Sequence, residues 1–205
     1  MSTPDLRALI PPESPVVSIP SLEELERYVA ESILIPLDAT RLNPVFGVGN
    51  PEADFMVIGE APGADEDEQG EPFVGRAGQL LDKIMQAIGF ARSEIYIANI
   101  LKSRPPNNRN PLAEEIAAHE PILYRQIELI RPKLILCVGR IAATTLLRRE
   151  DSLKNLRQQF HDFHGIPLAA TYHPAALLRN PNWKRPTWED VQMVRARFDE
   201  LVSTS

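Results

Sequence analysis

Three short segments of this chain combine residue types suited to gripping a planar, hydrogen-bonding ligand. The first runs Gly59-Glu60-Ala61-Pro62-Gly63-Ala64-Asp65-Glu66-Asp67-Glu68 and continues as Gly70-Glu71-Pro72-Phe73-Val74-Gly75-Arg76-Ala77-Gly78. Its glycines let backbone approach a ligand closely, and a helix opening near Gly78 would offer free N–H groups to an anion. The Gly-Lys-Ser/Thr ending of a P-loop is missing. Four consecutive acids, Asp65 to Glu68, cannot all face one ion, so they read mainly as a solvated loop. The second segment is Ile97-Ala98-Asn99-Ile100-Leu101-Lys102-Ser103-Arg104-Pro105-Pro106-Asn107-Asn108-Arg109. Asn99 interrupts an apolar run, and its amide offers one acceptor and two donors in a plane, which suits either a base edge or nearby backbone. The third, Thr171-Tyr172-His173-Pro174-Ala175-Ala176-Leu177-Leu178-Arg179-Asn180-Pro181, sets a histidine before an apolar pair and an arginine. Such a pair either wedges into DNA beside a catalytic group or packs in the core.

Each segment follows an apolar run, and those runs are the elements that must bring them together. Phe55 to Ile58, Ile95 to Ile100, Leu134 to Val138 and Leu168 to Tyr172 read as strands buried on both faces. Helical spacing recurs between them in Leu80, Leu81, Ile84, Met85 and Ile88, in Ile116 to Ile130, and in Ile141 to Leu147. Ser21-Leu22-Glu23-Glu24 reads as a capping box opening an earlier helix, and Trp188 to Val202 as a closing amphipathic helix. This rhythm predicts an α/β fold, a three-layer α/β/α sandwich around a central, mainly parallel four-stranded sheet with ligands at the strands' carboxyl ends. Residues 1–20, with five prolines and no periodicity, predict a flexible tail, and residues 21–205 a single domain.

Composition narrows the function classes. A net charge of −6 argues against a nonspecific DNA coat, yet residues 1–95 hold 17 acids and 6 bases whereas residues 96–205 hold 11 acids and 16 bases. Such an imbalance either presents one basic face to a phosphate backbone or is ordinary surface charge unevenly spread. The single cysteine, Cys137, lies in an apolar strand, so an intramolecular disulfide and a cysteine-only metal site are excluded. No long apolar span or secretory leader is visible, which predicts a soluble, cytoplasmic protein.

In this order and spacing, the three segments resemble the uracil-DNA glycosylase superfamily, specifically its family 4. The likeness runs from about Leu37 through Val194 and includes Val45-Phe46-Gly47-Val48-Gly49-Asn50-Pro51 and Lys184-Arg185-Pro186-Thr187-Trp188-Glu189-Asp190. It implies a DNA-repair enzyme that flips deoxyuridine out of DNA and hydrolyses the base–sugar bond, leaving an abasic site. Glu60, Ala61 and Pro62 would line the uracil and its water, with Glu60 positioning the water and Asp67 the next acid to consider. Phe73 would stack on the ring, Asn99 read its edge, and His173 donate to O2. Lys102, Arg104, Arg109, Ala176, Leu177, Leu178, Arg179, Lys184 and Arg185 would meet the DNA, double- or single-stranded. A monomer suffices for this chemistry. The rival reading is a non-catalytic or weakly catalytic binder of damaged or single-stranded DNA.

Two departures stand out. Family 4 members hold a [4Fe–4S] cluster on four cysteines, and the corresponding positions here are Ser32, Ile35, Ser103 and His119. Isoleucine cannot ligate iron and a cluster needs thiolates, so no cluster, metal or other cofactor is expected. Packing by Ile33, Leu34 and Ile35, with hydrogen bonds from Ser103 or His119, is expected to replace it. The second departure is Leu156-Arg157-Gln158, where the family often carries glycine after the arginine. No basic, histidine-containing insertion lies between Gly75 and Ile84, so the covalent trapping of one superfamily branch is not expected.

Overall fold

The computed structural model describes residues 6–203. Its strands are β1 (Val48–Gly49), β2 (Phe55–Gly59), β3 (Tyr96–Asn99), β4 (Leu134–Val138), β5 (His161–Phe163) and β6 (Ile166–Thr171), in the spatial order β1-β3-β2-β4-β6-β5. The helices are α1 (Leu22–Glu31), α2 (Ala64–Gln69), α3 (Arg76–Ala87), α4 (Ala113–Ile130), α5 (Arg140–Leu147), α6 (Leu153–Leu156), α7 (Pro174–Arg179) and α8 (Lys184–Ser203). The four expected strands are the central parallel ones, and the sheet has six strands because β1 and β5 add short antiparallel edges. Two or three partly exposed residues are too few to leave an apolar pattern, so these edges were invisible in the sequence.

Period-two alternation sends successive strand side chains to opposite faces. Met56, Ile58, Ala98, Ile135 and Cys137 pack with Leu123 and Ile127 of α4 and Ala143 of α5. Phe55, Val57, Ile97 and Leu136 pack with Leu81 and Met85 of α3 and Val191 and Val194 of α8. Helices thus cover both faces. No helix among the described residues is long and apolar enough to cross a membrane.

The expected mobile tail needs correcting where it is described. Two 3₁₀ turns, Leu6–Leu9 and Pro15–Ser18, bury Leu6, Ile10 and Val16. Arg125 on α4 donates to the carbonyl of Ile19 at 2.8 Å through Nε, and Arg7 pairs with Glu128 at 2.6 Å. The prolines here shape turns between widely spaced apolar anchors, a pattern without helix or strand period. Residues 1–5 of that expectation lie outside the described residues.

Polar groups, and not an apolar plug, tie α1 to the loop after β3 and to α4. Asp38 is buried at the centre: Oδ1 accepts from Ser103 Oγ at 2.5 Å and from His119 Nε2 at 3.0 Å, and Oδ2 accepts from the Leu34 N–H at 2.9 Å. His119 Nδ1 accepts the Lys102 N–H at 3.0 Å. Arg41 donates to Ser103 Oγ and, through Nη2, to the carbonyl of Ser32 at 3.0 Å in each case. Only Ile35 of the expected apolar trio packs against the core, while Ile33 and Leu34 are exposed. Of the four family cluster positions, Ser103 and His119 are committed to this network, Ser32 is reached through its carbonyl, and Ile35 carries no donor. This set does not fit an iron–sulfur cluster.

A second buried acid, Asp190 of α8, holds the other end of the sheet. Its carboxylate accepts from Arg157 Nε at 2.6 Å, from Thr171 Oγ1 at 2.6 Å and from Gln158 Nε2 at 2.5 Å. Gln158 has φ +61°, the left-handed region that glycine enters freely. That explains the second departure: the position demands a glycine-like backbone, and the glutamine offsets its strain with a bond to Asp190.

Burial raises the Asp38 carboxyl, but hydrogen bonds from His119, Ser103 and the Leu34 N–H outweigh it and hold the group well below the carboxylate range. Such a carboxylate stabilises the fold above its unfolded pKa of about 3.9, and that contribution is lost as pH falls through the folded value. Asp38→Asn should therefore cost about 3 kcal/mol at neutral pH. The gap to wild type in thermal melting should stay level down to about pH 5 and narrow only below about pH 4. A gap that closes nearer neutrality would place control elsewhere in the network.

Candidate active site

The carboxyl ends of β2, β3 and β6 deliver the three segments to one cavity of about 370 Å³. In the sheet register Gly59 lies opposite Asn99. A Cβ on Gly59 would stand 2.4 Å from Asn99 Oδ1 and 2.5 Å from the Phe73 ring, so only glycine lets amide and ring meet there. Asn99 is buried, and among the described residues its Oδ1 is the buried side-chain polar atom without a hydrogen-bond partner. An unsatisfied buried acceptor costs about 1–3 kcal/mol, a cost that a ligand N–H would relieve.

Phe73 is buried with φ +55°, a strained conformation for an aromatic residue. Three things hold it. A Cβ at Gly78 would lie 1.9 Å from the Phe73 carbonyl oxygen, so α3 approaches closely only because that position is glycine. Arg92 Nη2 donates to the carbonyl of Pro72 at 2.5 Å. Glu66 accepts from the N–H groups of Val74 and Gly75 at 2.9 and 3.0 Å, and from Gly63 at 3.1 Å, so one carboxylate joins both walls of the cavity.

His173 caps α7, its ring stacked on Phe73 with centroids 5.5 Å apart. Nδ1 accepts the Ala175 N–H at 3.1 Å, which leaves the proton on Nε2 as a donor. Burial, with the nearby charge of Arg179, lowers its pKa to about 4 against the opposing pull of Glu66. The imidazole is thus a neutral donor at neutral pH. Burial raises the Glu60 carboxyl, and the charge of Arg140 opposes that.

Glu60, Ala61, Pro62, Phe73, Asn99, Arg109, His173 and Arg179 of the sequence-derived set line this cavity. Arg109 is also paired with Glu115 at 2.6 Å. Arg104, Leu178, Lys184 and Arg185 lie outside it, the last three exposed, with Arg185 beside Glu189 and Ala176 half-buried. Two positions need correction as DNA contacts. Lys102 is fully buried with its ammonium folded back onto the Asn99 carbonyl, and Leu177 is core, under the exposed Leu178.

The acidic run is not a solvated loop but helix α2, with Asp67 buried and bonded to the Leu42 N–H at 2.9 Å, outside the cavity. Glu66 was missed as a pocket residue, although its spacing from Gly63 is that of a helix cap. Arg140 does not line the cavity, and its influence on Glu60 was missed because β4 is not followed by a recognisable polar motif. The pair Pro105 and Asn108, brought in by left-handed turns at Asn107 and Asn108, left no local signal. Together the groups can clamp a flat heterocycle by face and edge, with a neutral N–H donor and a carboxylate on its flanks.

Comparison with known proteins agrees with that geometry. The model of the uracil DNA glycosylase superfamily matches residues 46–192. A type-4 uracil-DNA glycosylase of Archaeoglobus fulgidus is 38% identical over 182 residues, covering 85% of this chain and 92% of the relative. One from Saccharolobus solfataricus is 43% identical over 164 residues, 76% of each chain. The crystal structure of Pedobacter heparinus SMUG2 shares the fold, with a TM-score of 0.52 at 12% identity over 89% of this chain and 98% of that one. With the matched region spanning all three strand-end segments, the chain belongs to the uracil-DNA glycosylase superfamily.

Proposed function

We propose that this chain is a single-domain, monofunctional uracil-DNA glycosylase of the type-4 kind, working as a monomer on uracil-containing DNA inside the cell. The observation that carries the reading is the unpartnered Asn99 Oδ1 facing a stacked Phe73 and a neutral His173 donor. Uracil presents N3–H to that oxygen and O4 to the amide N–H groups. Cytosine sets a 4-amino donor against a donor, a mismatch that is costly when buried. Stacking on Phe73 adds about 1–3 kcal/mol for any flat base.

As the C1′–N1 bond breaks, its electron pair moves onto the base, and the His173 Nε2–H stabilises the charge gathering at O2. Water adds to C1′, and its proton passes to the Glu60 carboxylate, whose burial-raised pKa makes it a better acceptor. The uracil anion takes a proton after release. No step needs a cofactor. Because the family's cluster positions carry no thiol, we expect protein purified without air to show neither iron nor the visible absorbance of a cluster; stoichiometric iron would refute this.

The test is cleavage of labelled single- and double-stranded oligonucleotides containing uracil, read after alkali treatment at abasic sites. Tight binding with no cut product would instead support the DNA-binder reading. His173→Ala and Asn99→Ala should each lower single-turnover cleavage by roughly 10²–10³-fold while changing DNA affinity far less. Near wild-type rates for both would sink the assigned roles.

The pH dependence separates the two titrating groups. His173, lowered to about 4, stays neutral over the working range. Glu60, raised above the usual glutamate value, is the group whose protonation removes the acceptor as pH falls. The acid limb of the rate profile should therefore disappear in Glu60→Gln and persist, at a lower rate, in His173→Ala.

A further inference from the structure

Lys102 is an amine sealed in the core with no acid paired to it among the described residues. Its side chain is fully buried, and Nζ donates to the Asn99 carbonyl at 2.8 Å and to Gln126 Oε1 at 2.6 Å. Gln126 is held in that orientation by its own donor, which reaches the Phe46 carbonyl at 3.0 Å and Tyr96 Oη at 3.4 Å. The Lys102 backbone is clamped as well, N–H to His119 and C=O to the Val45 N–H. Both partners of the ammonium are neutral oxygens, and among the described residues Lys102 makes no ion pair.

We propose that Lys102 is a positioning residue for the departing base: its ammonium fixes the Asn99 peptide and supplies positive potential behind the pocket while the N-glycosidic bond breaks. The inference rests on the glycosylase reading above. Anchoring a carbonyl needs only a neutral donor, whereas burying an uncompensated charge is costly unless something uses it. Here the same residue whose carbonyl receives the charge presents its amide to the base. In a low-dielectric interior the potential of a buried charge reaches across one residue with little loss. Burial alone lowers the ammonium to about 7, so the proton is loosely held in the free protein, and a developing uracil anion favours the charged form. No proton is transferred to the base; the cation acts on the electron pair leaving C1′.

Leaving-group dependence tests this. 5-Fluorouracil is more acidic than uracil, so its anion departs with less help. Lys102→Met should lower single-turnover excision of uracil by roughly tenfold or more. The loss on 5-fluorouracil should be clearly smaller, with affinity for abasic-site DNA unchanged. Gln126→Glu, which sets a carboxylate on the ammonium and cancels its potential at the cost of the bond to the Phe46 carbonyl, should show the same selective loss. If Lys102→Met loses its cooperative melt, Gln126→Glu decides alone. Equal losses on both bases, or losses that follow weakened DNA binding, would overturn the proposal while leaving the glycosylase reading intact. Wild-type protein that cleaves neither base would overturn both.

Discussion

Parallel pairing of β2 with β3 puts Gly59 directly across from Asn99, and the missing side chain at Gly59 is the space into which the Asn99 amide and the Phe73 ring both project. A methyl group there would collide with each. The rest of the site is arranged around that contact. Gly78 admits the Phe73 carbonyl, Glu66 ties the wall bearing Gly63 to the turn after Phe73, and His173 closes the stack from β6. Preorganisation of this kind is what electrostatic catalysis requires, because dipoles fixed during folding need not reorganise as charge develops.

The strain sits where the ligand would sit. Phe73 in a left-handed conformation and Asn99 with a bare oxygen are each unfavourable in the free protein. Their cost is carried by a sheet whose central strands are buried on both faces, and by buried acids at two corners, Asp38 and Asp190. Stability elsewhere permits local compromise at the pocket.

Much of this was legible in the sequence, for definite reasons. Apolar runs of four to six residues between helical periods read as doubly covered parallel strands, and the segments after three of them were recognisable by composition. What stayed hidden had no local pattern. The edges β1 and β5 are too short, the N-terminal turns are anchored by isolated Leu6, Ile10 and Val16, and the fate of Lys102 depends on Gln126, 24 residues away. Glu66 looked like surface charge because its three N–H partners come from two different turns. Lys102 was expected to meet the DNA, whereas Asn99 and Gln126 turn it inward. Sequence motifs identify which residues matter more readily than they tell which way those residues point.

The network around Asp38 has a consequence for how the molecule assembles. Its bonds to Ser103 and His119 span 65 and 81 residues of chain. Closing loops of that size is an entropic cost met before any bond rewards it, so such contacts form after the local helices and strands that deliver them. The clasp is therefore a late event and a global one: it closes only when α1, the loop after β3 and α4 have all docked. The loop it secures leads directly to one wall of the cavity, whose own contact between Phe73 and His173 joins still more distant parts of the chain, so clasp and pocket both wait on the docking of remote segments.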